Sequence, residues 1–227
     1  MKILSEIPFT LEVGKLSDEY KIRPGTELAR RFTDLAREVQ ATGNPKVMYK
    51  VSYIDEKGED TVKIDDTLFT SLALKKNLDQ VKRVFPYIAT CGTEVDNIKI
   101  DKGDMLKSFW MFNLKGILLQ SAIIHLFEHI DKHYKTGKLS SMNPGSGDEV
   151  VWPIVQQKNL FSLFKDVKAG IGVGITDSSL LVPETSLIGI IFQTEIDFQS
   201  CQLCHRENCP QRRTSFDKTV WKSIYEN

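Results

Sequence analysis

The feature that most limits how this chain can fold is one long apolar segment, residues 104–134. Its apolar side chains recur every three or four residues, which is the spacing of one helical face. Asp104 stands at its start, where a carboxylate can accept hydrogen bonds from the first helical turn. A helix this long and this apolar must bury much of its surface, so we predict that it forms part of the core.

Shorter patterns on both sides of this helix alternate between helix and strand. Residues 138–152 are rich in Ser, Asn, Pro and Gly and are too many for a simple connector, so we interpret them as a functional loop. Because no regular β-α-β repeat is present, we predict an α+β fold with a mainly antiparallel twisted sheet and a long central helix. The predicted elements are helices over residues 26–40, 93–98 (capped by Thr93) and 154–164 and strands over residues 47–54, 61–64, 81–90, 175–183 and 186–194.

The composition is that of an ordinary globular chain. Of its 227 residues, 41% are hydrophobic and 26% are charged, which allows a substantial core in one domain over residues 1–227. Lys and Arg equal Asp and Glu at 30 each, so no net charge favours nucleic acid or an anionic membrane as a partner. Residues 109–119, the longest apolar stretch, are too short to span a bilayer. No secretory signal is visible at the N-terminus, which favours a cytoplasmic location.

Three of the four cysteines lie close together near the C-terminus, at Cys201, Cys204 and Cys209. Two thiolates separated by two residues can hold one metal ion, and a third extends that grip. Cys91 or the imidazole of His205 would supply the fourth ligand. We predict a metal-binding tail over residues 198–213 that holds structural zinc or an iron-sulfur cluster, and the spacing does not separate the two. Free or redox-active thiols are the alternative, because disulfides are rare in the cytoplasm.

Two further groups of side chains have the residue types of a functional site. His125, His129 and His133 recur every four residues along the long helix, but three turns of one helix rarely complete a tetrahedral zinc site. Glu94 and Asp148 could form a carboxylate pair across a cleft, although capping or solvated roles are more common for acids at such places. No nucleophile with a base partner can be identified, so a hydrolase is unsupported.

Three segments, in a fixed order, carry a resemblance to a known family. Residues 89–96 resemble an Ala-Thr-x-Gly-x-Glu stretch ahead of a long helix, and residues 143–148 resemble a Ser-Pro-Gly-Tyr-Gly-Asp loop that leads to Trp-Pro. Residues 171–189 resemble a Gly-Val-x-Leu-Thr-Glu-Ser strand, a Pro turn and a second strand. Together they are similar to the reactivation domain of cobalamin-dependent methionine synthase and to its stand-alone relatives, which tend to end in a Cys-x2-Cys-x4-Cys tail.

The resemblance implies a C-shaped α+β domain that holds S-adenosylmethionine and remethylates cobalamin after reduction of its cobalt. The family uses an arginine and a tyrosine around the methyl donor, and this sequence has Ser141 and Ser146 at those places. Serine offers neither a guanidinium fork nor an aromatic face, so this departure argues against binding of S-adenosylmethionine. The cofactor-binding residues that the resemblance implies are Glu94, Asn143, Pro144, Gly145, Ser146, Gly147 and Asp148.

The resulting hypothesis is an accessory protein for a cobalamin-dependent methyltransferase, which docks on a corrinoid protein or on methionine synthase near residues 143–148. Cobalt(II) is inert to methyl transfer until it is reduced, and an iron-sulfur cluster at the four cysteines would relay the electron. The alternative is an interaction module whose tail holds structural zinc and which performs no redox or methyl-transfer chemistry. Neither hypothesis assigns a catalytic residue, because the hard chemistry belongs to cobalamin on the partner.

Overall fold

A computed structural model describes residues 1–196, 198–209 and 212–226 of the chain. The described residues form an eight-stranded antiparallel sheet, a separate two-stranded ribbon and seven α-helices. The strands are β1 Lys2–Leu4, β2 Lys46–Tyr49, β3 Ser52–Lys57, β4 Thr61–Ile64, β5 Thr67–Thr70, β6 Arg83–Thr90, β7 Leu139–Met142, β8 Gly174–Ile175, β9 Leu181–Val182 and β10 Ser186–Gln193. The helices are α1 Val13–Glu19, α2 Glu27–Thr42, α3 Leu72–Asn77, α4 Met105–Tyr134, α5 Gln157–Ser162, α6 Val167–Ile171 and α7 Lys218–Tyr225. Three short 3-10 helices span Glu94–Asn97, Ile154–Gln156 and Ser200–Leu203.

The central strand of the large sheet is β6, and every residue of it after Arg83 is buried. It pairs with β2 and β3 along one edge and with β10 along the other. β7 extends the sheet beyond β10, with Met142 opposite Ile190, and β1 extends it beyond β2. Because β6 is covered on both faces, its sequence reads as a continuous apolar run rather than as an alternation.

Successive residues of these strands face opposite sides of the sheet. On one side, Met48, Ile88 and Ile190 contribute to a core shared with α3, α5, α6 and α7. On the other side, Tyr87 and Ile191 pack beneath the C-terminal half of α4. The N-terminal half of α4 packs against α2 in a third cluster of buried residues. The predicted fold class, α+β with a large antiparallel sheet and a long central helix, is confirmed.

The two long helices begin where the sequence places their caps. The hydroxyl of Thr26 accepts a hydrogen bond from the backbone N–H three residues later, at 3.2 Å, and α2 begins there. A carboxylate oxygen of Asp104 does the same for α4, at 3.0 Å. Both predicted helices are therefore confirmed. Thr93 makes no such bond at the 3-10 helix Glu94–Asn97, so its predicted capping role is wrong.

The predicted strand over residues 47–54 is divided into β2 and β3, although its register against β6 is unbroken. The interruption falls at Lys50, which lies opposite Pro86. The carbonyl of Pro86 accepts a hydrogen bond from the Lys50 N–H at 3.1 Å. Proline has no N–H to return the second bond of the pair, so the ladder is broken there. The hairpin predicted to follow is present as β3 and β4.

Two other predicted segments differ from the structure. Residues 175–183 form the two short strands β8 and β9 rather than one strand, because residues 176–180 make a turn closed by a 2.8 Å hydrogen bond from Thr176 N–H to Leu180 C=O. Residues 138–152 are not all loop, because they include β7. The two serines of β7 hide the alternation of apolar and polar residues that would identify a strand in the sequence. One of them, Ser140, is buried, and its hydroxyl donates to the Phe198 carbonyl at 2.7 Å.

By length and composition alone, α4 would also be able to cross a membrane. Residues 109–119 are too short for that, but the whole helix is not. In its most apolar window, 33% of the residues are buried within the described structure. The core helix of a globular protein meets the same criteria, so one such helix is weak evidence for a membrane span.

The contact between α4 and the sheet can be tested by shortening a buried side chain. Leu126 is fully buried in the cluster that joins α4 to the sheet, so Leu126→Ala should lower the free energy of unfolding by about 2–5 kcal/mol. Ile124→Ala is the matched control on the outer face of the same helix and should change it by less than about 0.5 kcal/mol. Urea unfolding of both variants measures the difference, and equal losses would contradict the assigned helix faces.

Candidate functional site

The loop over residues 143–148, named here the site loop, starts from a fixed point on the sheet. Asn143 is buried directly after β7, and its side-chain N–H group donates to the Tyr87 hydroxyl at 2.8 Å and to the Ile188 carbonyl at 2.7 Å. A Cβ atom at Gly189 would lie 2.1 Å from this amide nitrogen. The glycine in β10 therefore makes room for the asparagine that anchors the loop.

Two glycines let the site loop turn sharply. Gly145 and Gly147 have φ angles of +79° and +101°, a backbone region that favours glycine. The Gly145 N–H donates to the Trp152 carbonyl at 2.8 Å, which closes the loop. A Cβ at Gly145 would lie 2.8 Å from the Ile154 side chain, so a larger residue would also clash. The turn leaves Ser146 exposed at its tip.

The site loop packs against the cysteine tail, residues 198–213, of which Pro210 and Gln211 lie outside the described residues. The Asp148 carboxylate accepts a hydrogen bond from the His205 backbone N–H at 3.2 Å and also contacts the imidazole Nδ1. A Cβ at Gly147 would lie 3.5 Å from the Cys204 Cβ, which is ordinary van der Waals contact. The structure therefore brings together the site loop and the cysteine tail, which the sequence analysis predicts as two separate sites.

Aromatic side chains hold the tail in this position. The His205 ring lies 4.2 Å from the Phe216 ring and 4.6 Å from the Trp221 ring, measured between centroids. Trp221 belongs to α7, an amphipathic helix that the sequence analysis missed. His205 was considered only as a metal ligand, and here its imidazole connects the site loop to α7.

Tyr87 hydrogen-bonds with the anchor of the site loop, and its hydroxyl is also influenced by the charge of Arg213 in the tail. Burial raises the pKa of Tyr87, while hydrogen bonds with Asn143 and Ser141 and the charge of Arg213 act in the opposite direction. The tail therefore places a positive charge within electrostatic reach of Tyr87. The sequence does not reveal this role of Tyr87, because a tyrosine within an apolar strand is expected to be a core residue.

Glu94 opens the 3-10 helix that follows β6, and its carboxylate interacts with residues at the start of β2. Its Oε1 accepts hydrogen bonds from the Asn44 side chain at 2.9 Å and from Lys46 Nζ at 2.6 Å. Burial alone would raise the pKa of Glu94, but the bond and charge of Lys46 outweigh it and lower the pKa. Among the described residues, no hydrogen bond or ion pair joins Glu94 to Asp148. The carboxylate pair considered in the sequence is not formed.

The four cysteines do not assemble into the predicted metal site. Cys91 is fully buried with the residues that join α2 to α4, its thiol donates to the Gly92 carbonyl at 3.3 Å, and burial raises its pKa to about 11. Cys201, Cys204 and Cys209 are half-buried in the tail and free of disulfides. Within residues 1–196, 198–209 and 212–226, no three His, Cys, Asp or Glu side chains are grouped so that they could hold a metal ion. The predicted zinc or iron-sulfur site is therefore not assembled among these residues.

The histidines of α4 have local partners instead of a metal site. The His129 Nε2 lies 2.7 Å from the Tyr49 hydroxyl, and the His133 Nδ1 lies 2.8 Å from the His129 carbonyl oxygen. The rings of His129 and His133 stack with centroids 4.0 Å apart. Burial is the main cause that lowers the pKa of His129, and the charges of its neighbours add to it. Neutral His129 is therefore a partner for Tyr49 in the packing of α4 on β2.

Comparison with known proteins identifies the fold but not the family. No protein-family model and no curated protein matches this chain. Among solved structures, it is similar to the crystal structure of the MetH reactivation domain bound to AdoHcy. The TM-score is 0.61 at 15% sequence identity, and the match covers 84% of this chain and 69% of that one. At 15% sequence identity, this likeness shows a shared fold only.

The ion pair of Glu94 leads to a pH-dependent expectation. A carboxylate whose pKa is lowered in the folded state stabilises the fold above its unfolded pKa, and this stabilisation is lost as the pH falls through the folded pKa. Glu94→Gln should therefore cost up to about 1 kcal/mol at neutral pH and lose this effect below about pH 4. Urea unfolding at neutral pH and below about pH 4 measures the change in the free energy of unfolding, with the exposed Glu38→Gln as control. A cost that is the same at both pH values would contradict the assignment.

The anchor of the site loop can be tested with a double-mutant cycle. Asn143→Ala should lower the free energy of unfolding by about 1–3 kcal/mol, because the Ile188 carbonyl and the Tyr87 hydroxyl lose their donor. The same substitution in a Tyr87→Phe background should cost less, with a coupling energy of at least about 0.5 kcal/mol. Ser146→Ala, at the exposed tip, is the control. Additive losses would show that the hydroxyl does not share the anchor.

Proposed function

We propose that this protein docks on a corrinoid-binding protein, such as the cobalamin module of a methionine synthase, and supports the reactivation of its corrinoid. The observation that carries the proposal is the likeness in fold to the MetH reactivation domain over 84% of the chain. The order of the three sequence segments described above supports it independently. Fold alone does not determine function, so the argument must also rest on the surface around the site loop.

That surface is suited to contact with another protein. The tip of the site loop, Gly145 to Gly147, is exposed, and three exposed apolar side chains follow it at Val150, Ile154 and Val155. Exposed apolar groups next to polar ones are typical of protein–protein contacts. The Asn143 anchor and the tail hold the loop in one shape, which lowers the entropy lost on docking.

The proposal concerns docking and does not assign a methyl donor to this chain. The solved neighbour is bound to AdoHcy. Here Ser141 and Ser146 stand at the positions where the resemblance predicts an arginine and a tyrosine, and neither serine can make a guanidinium or aromatic contact. Docking requires neither group. The bond-making chemistry belongs to the corrinoid on the partner, and this chain would supply orientation and exclude water around it.

Docking should be sensitive to a charge in the apolar part of the proposed surface. Val155 is 62% exposed in the 3-10 helix Ile154–Gln156. Val155→Glu should weaken binding to a cobalamin-loaded methionine synthase module about tenfold or more, since burying an unpaired charge costs at least about 1.4 kcal/mol. Isothermal titration calorimetry measures the dissociation constant.

The matched control is Ile124→Glu, which adds the same charge to an exposed apolar position on α4, the helix that covers the opposite face of the sheet. This variant should bind as the unmodified protein does. If the unmodified protein forms no complex with the cobalamin-loaded module at tens of micromolar, the proposed function is wrong. If both variants weaken binding equally, the docking surface lies elsewhere.

A further inference from the structure

Cys201 and Cys204 are placed as a pair by the 3-10 helix Ser200–Leu203. The Cys204 N–H donates to the Cys201 carbonyl at 3.2 Å, which is the i to i+3 bond of one 3-10 turn. In such a turn the side chains at i and i+3 lie on the same side, and a rise of about 2 Å per residue puts their Cα atoms about 6 Å apart. Disulfides join cysteines whose Cα atoms are about 4.4–6.8 Å apart. The turn therefore places the two Cα atoms at a separation that a disulfide can span.

The surroundings of Cys201 differ from those of the buried cysteine. Its sulfur faces the backbone amides of Arg213 and Thr214 and the guanidinium of Arg213. Burial alone would raise the pKa of Cys201, but these donors outweigh it and lower the pKa. Cys91, enclosed in the core, has its pKa raised instead. A partly exposed thiol next to positive groups is the usual setting of a reactive cysteine.

From the shared turn and the donors around one sulfur, we propose that Cys201 and Cys204 are a reversible dithiol–disulfide pair, with Cys201 as the attacking thiolate. The oxidant would be a low-molecular-weight disulfide. The Cys201 thiolate attacks one of its sulfurs, the S–S bond breaks, and the leaving thiolate takes up a proton. The deprotonated Cys204 then attacks the Cys201 sulfur and releases the second thiol. The two cysteines lose two electrons, and the oxidant is reduced to two thiols.

The oxidation state of Cys201 and Cys204 would affect the site loop, because Cys204 lies beside it. The Cys204 sulfur lies 4.0 Å from the position that a Cβ would take at Gly147. The next residue, His205, holds Asp148, and the Arg212 guanidinium donates to the Cys204 carbonyl at 2.9 Å. Oxidation of Cys204 would therefore take place directly beside the contact between the tail and the loop. This inference does not rest on the proposed function.

Reaction of the full chain with glutathione disulfide in oxygen-free buffer tests the proposal. The expected product has one internal disulfide, which peptide mapping by mass spectrometry assigns to Cys201 and Cys204, while Cys91 stays reduced. Reduced glutathione should reverse it. A disulfide that involves Cys209, a product that stops at mixed disulfides, or tightly bound zinc that protects the thiols would each overturn the proposal.

Variants separate the roles of the two thiols. Cys204→Ser should stop the reaction at a mixed disulfide on Cys201, whereas Cys201→Ser should react several-fold more slowly. Both sites are half-buried, so circular dichroism should show that the variants remain folded. Equal reaction rates of the two variants would contradict the assignment of Cys201 as the attacking thiolate.

The role of Arg213 has its own readout, the pH dependence of iodoacetamide alkylation at Cys201. Arg213→Gln removes a charge that favours the thiolate, so the alkylation profile should move to higher pH and the rate at neutral pH should fall several-fold. Arg206→Gln is the control, because Arg206 is exposed in the same tail and is not among the groups that act on Cys201. An unchanged profile in Arg213→Gln would overturn this part of the proposal.

Discussion

The pairing of β6 along both of its edges is the constraint on which the rest of the structure depends. With β2 and β3 on one side and β10 on the other, the backbone of this strand lies away from solvent, and its side chains fill two separate cores. One core requires α4 as its cover, and the other requires the short helices α3, α5, α6 and α7. The same strand supplies Tyr87, whose hydroxyl accepts a hydrogen bond from Asn143 at the start of the site loop. Both the packing and the position of the candidate site therefore follow from one strand.

Much of this architecture is predictable because apolar residues recur along the sequence at the spacing of a helix or a strand. The long helix, its Asp104 cap, α2 and the β3–β4 hairpin follow from apolar spacing and local capping. The break at Lys50 does not, because it results from a missing donor in Pro86 on another strand. The division between β8 and β9 does not follow from apolar spacing either, because it results from a turn of mainly polar residues closed by a backbone hydrogen bond.

The candidate site was predictable only in part, because its contacts join segments that are distant in the chain. The position of the site loop and its glycine turns are visible in the sequence, whereas the hydrogen bond from Asn143 to Tyr87 spans 56 residues and has no local signature. Likewise, the spacing of the cysteines suggests a metal, but it does not show that Cys91 is enclosed between α2 and α4. Tertiary placement, rather than residue type, decides which thiols can act together.

The tail also has a consequence for the edge of the sheet. β7 is the outermost strand beyond β10, and an outermost strand presents backbone groups to which another chain can add. The hydroxyl of Ser200 donates to the Ser141 carbonyl at 3.5 Å, and Ser140 donates to the Phe198 carbonyl. The tail thereby covers part of this edge with side-chain contacts that no incoming strand can extend. The tail would thus also protect this edge of the sheet against aggregation with another chain.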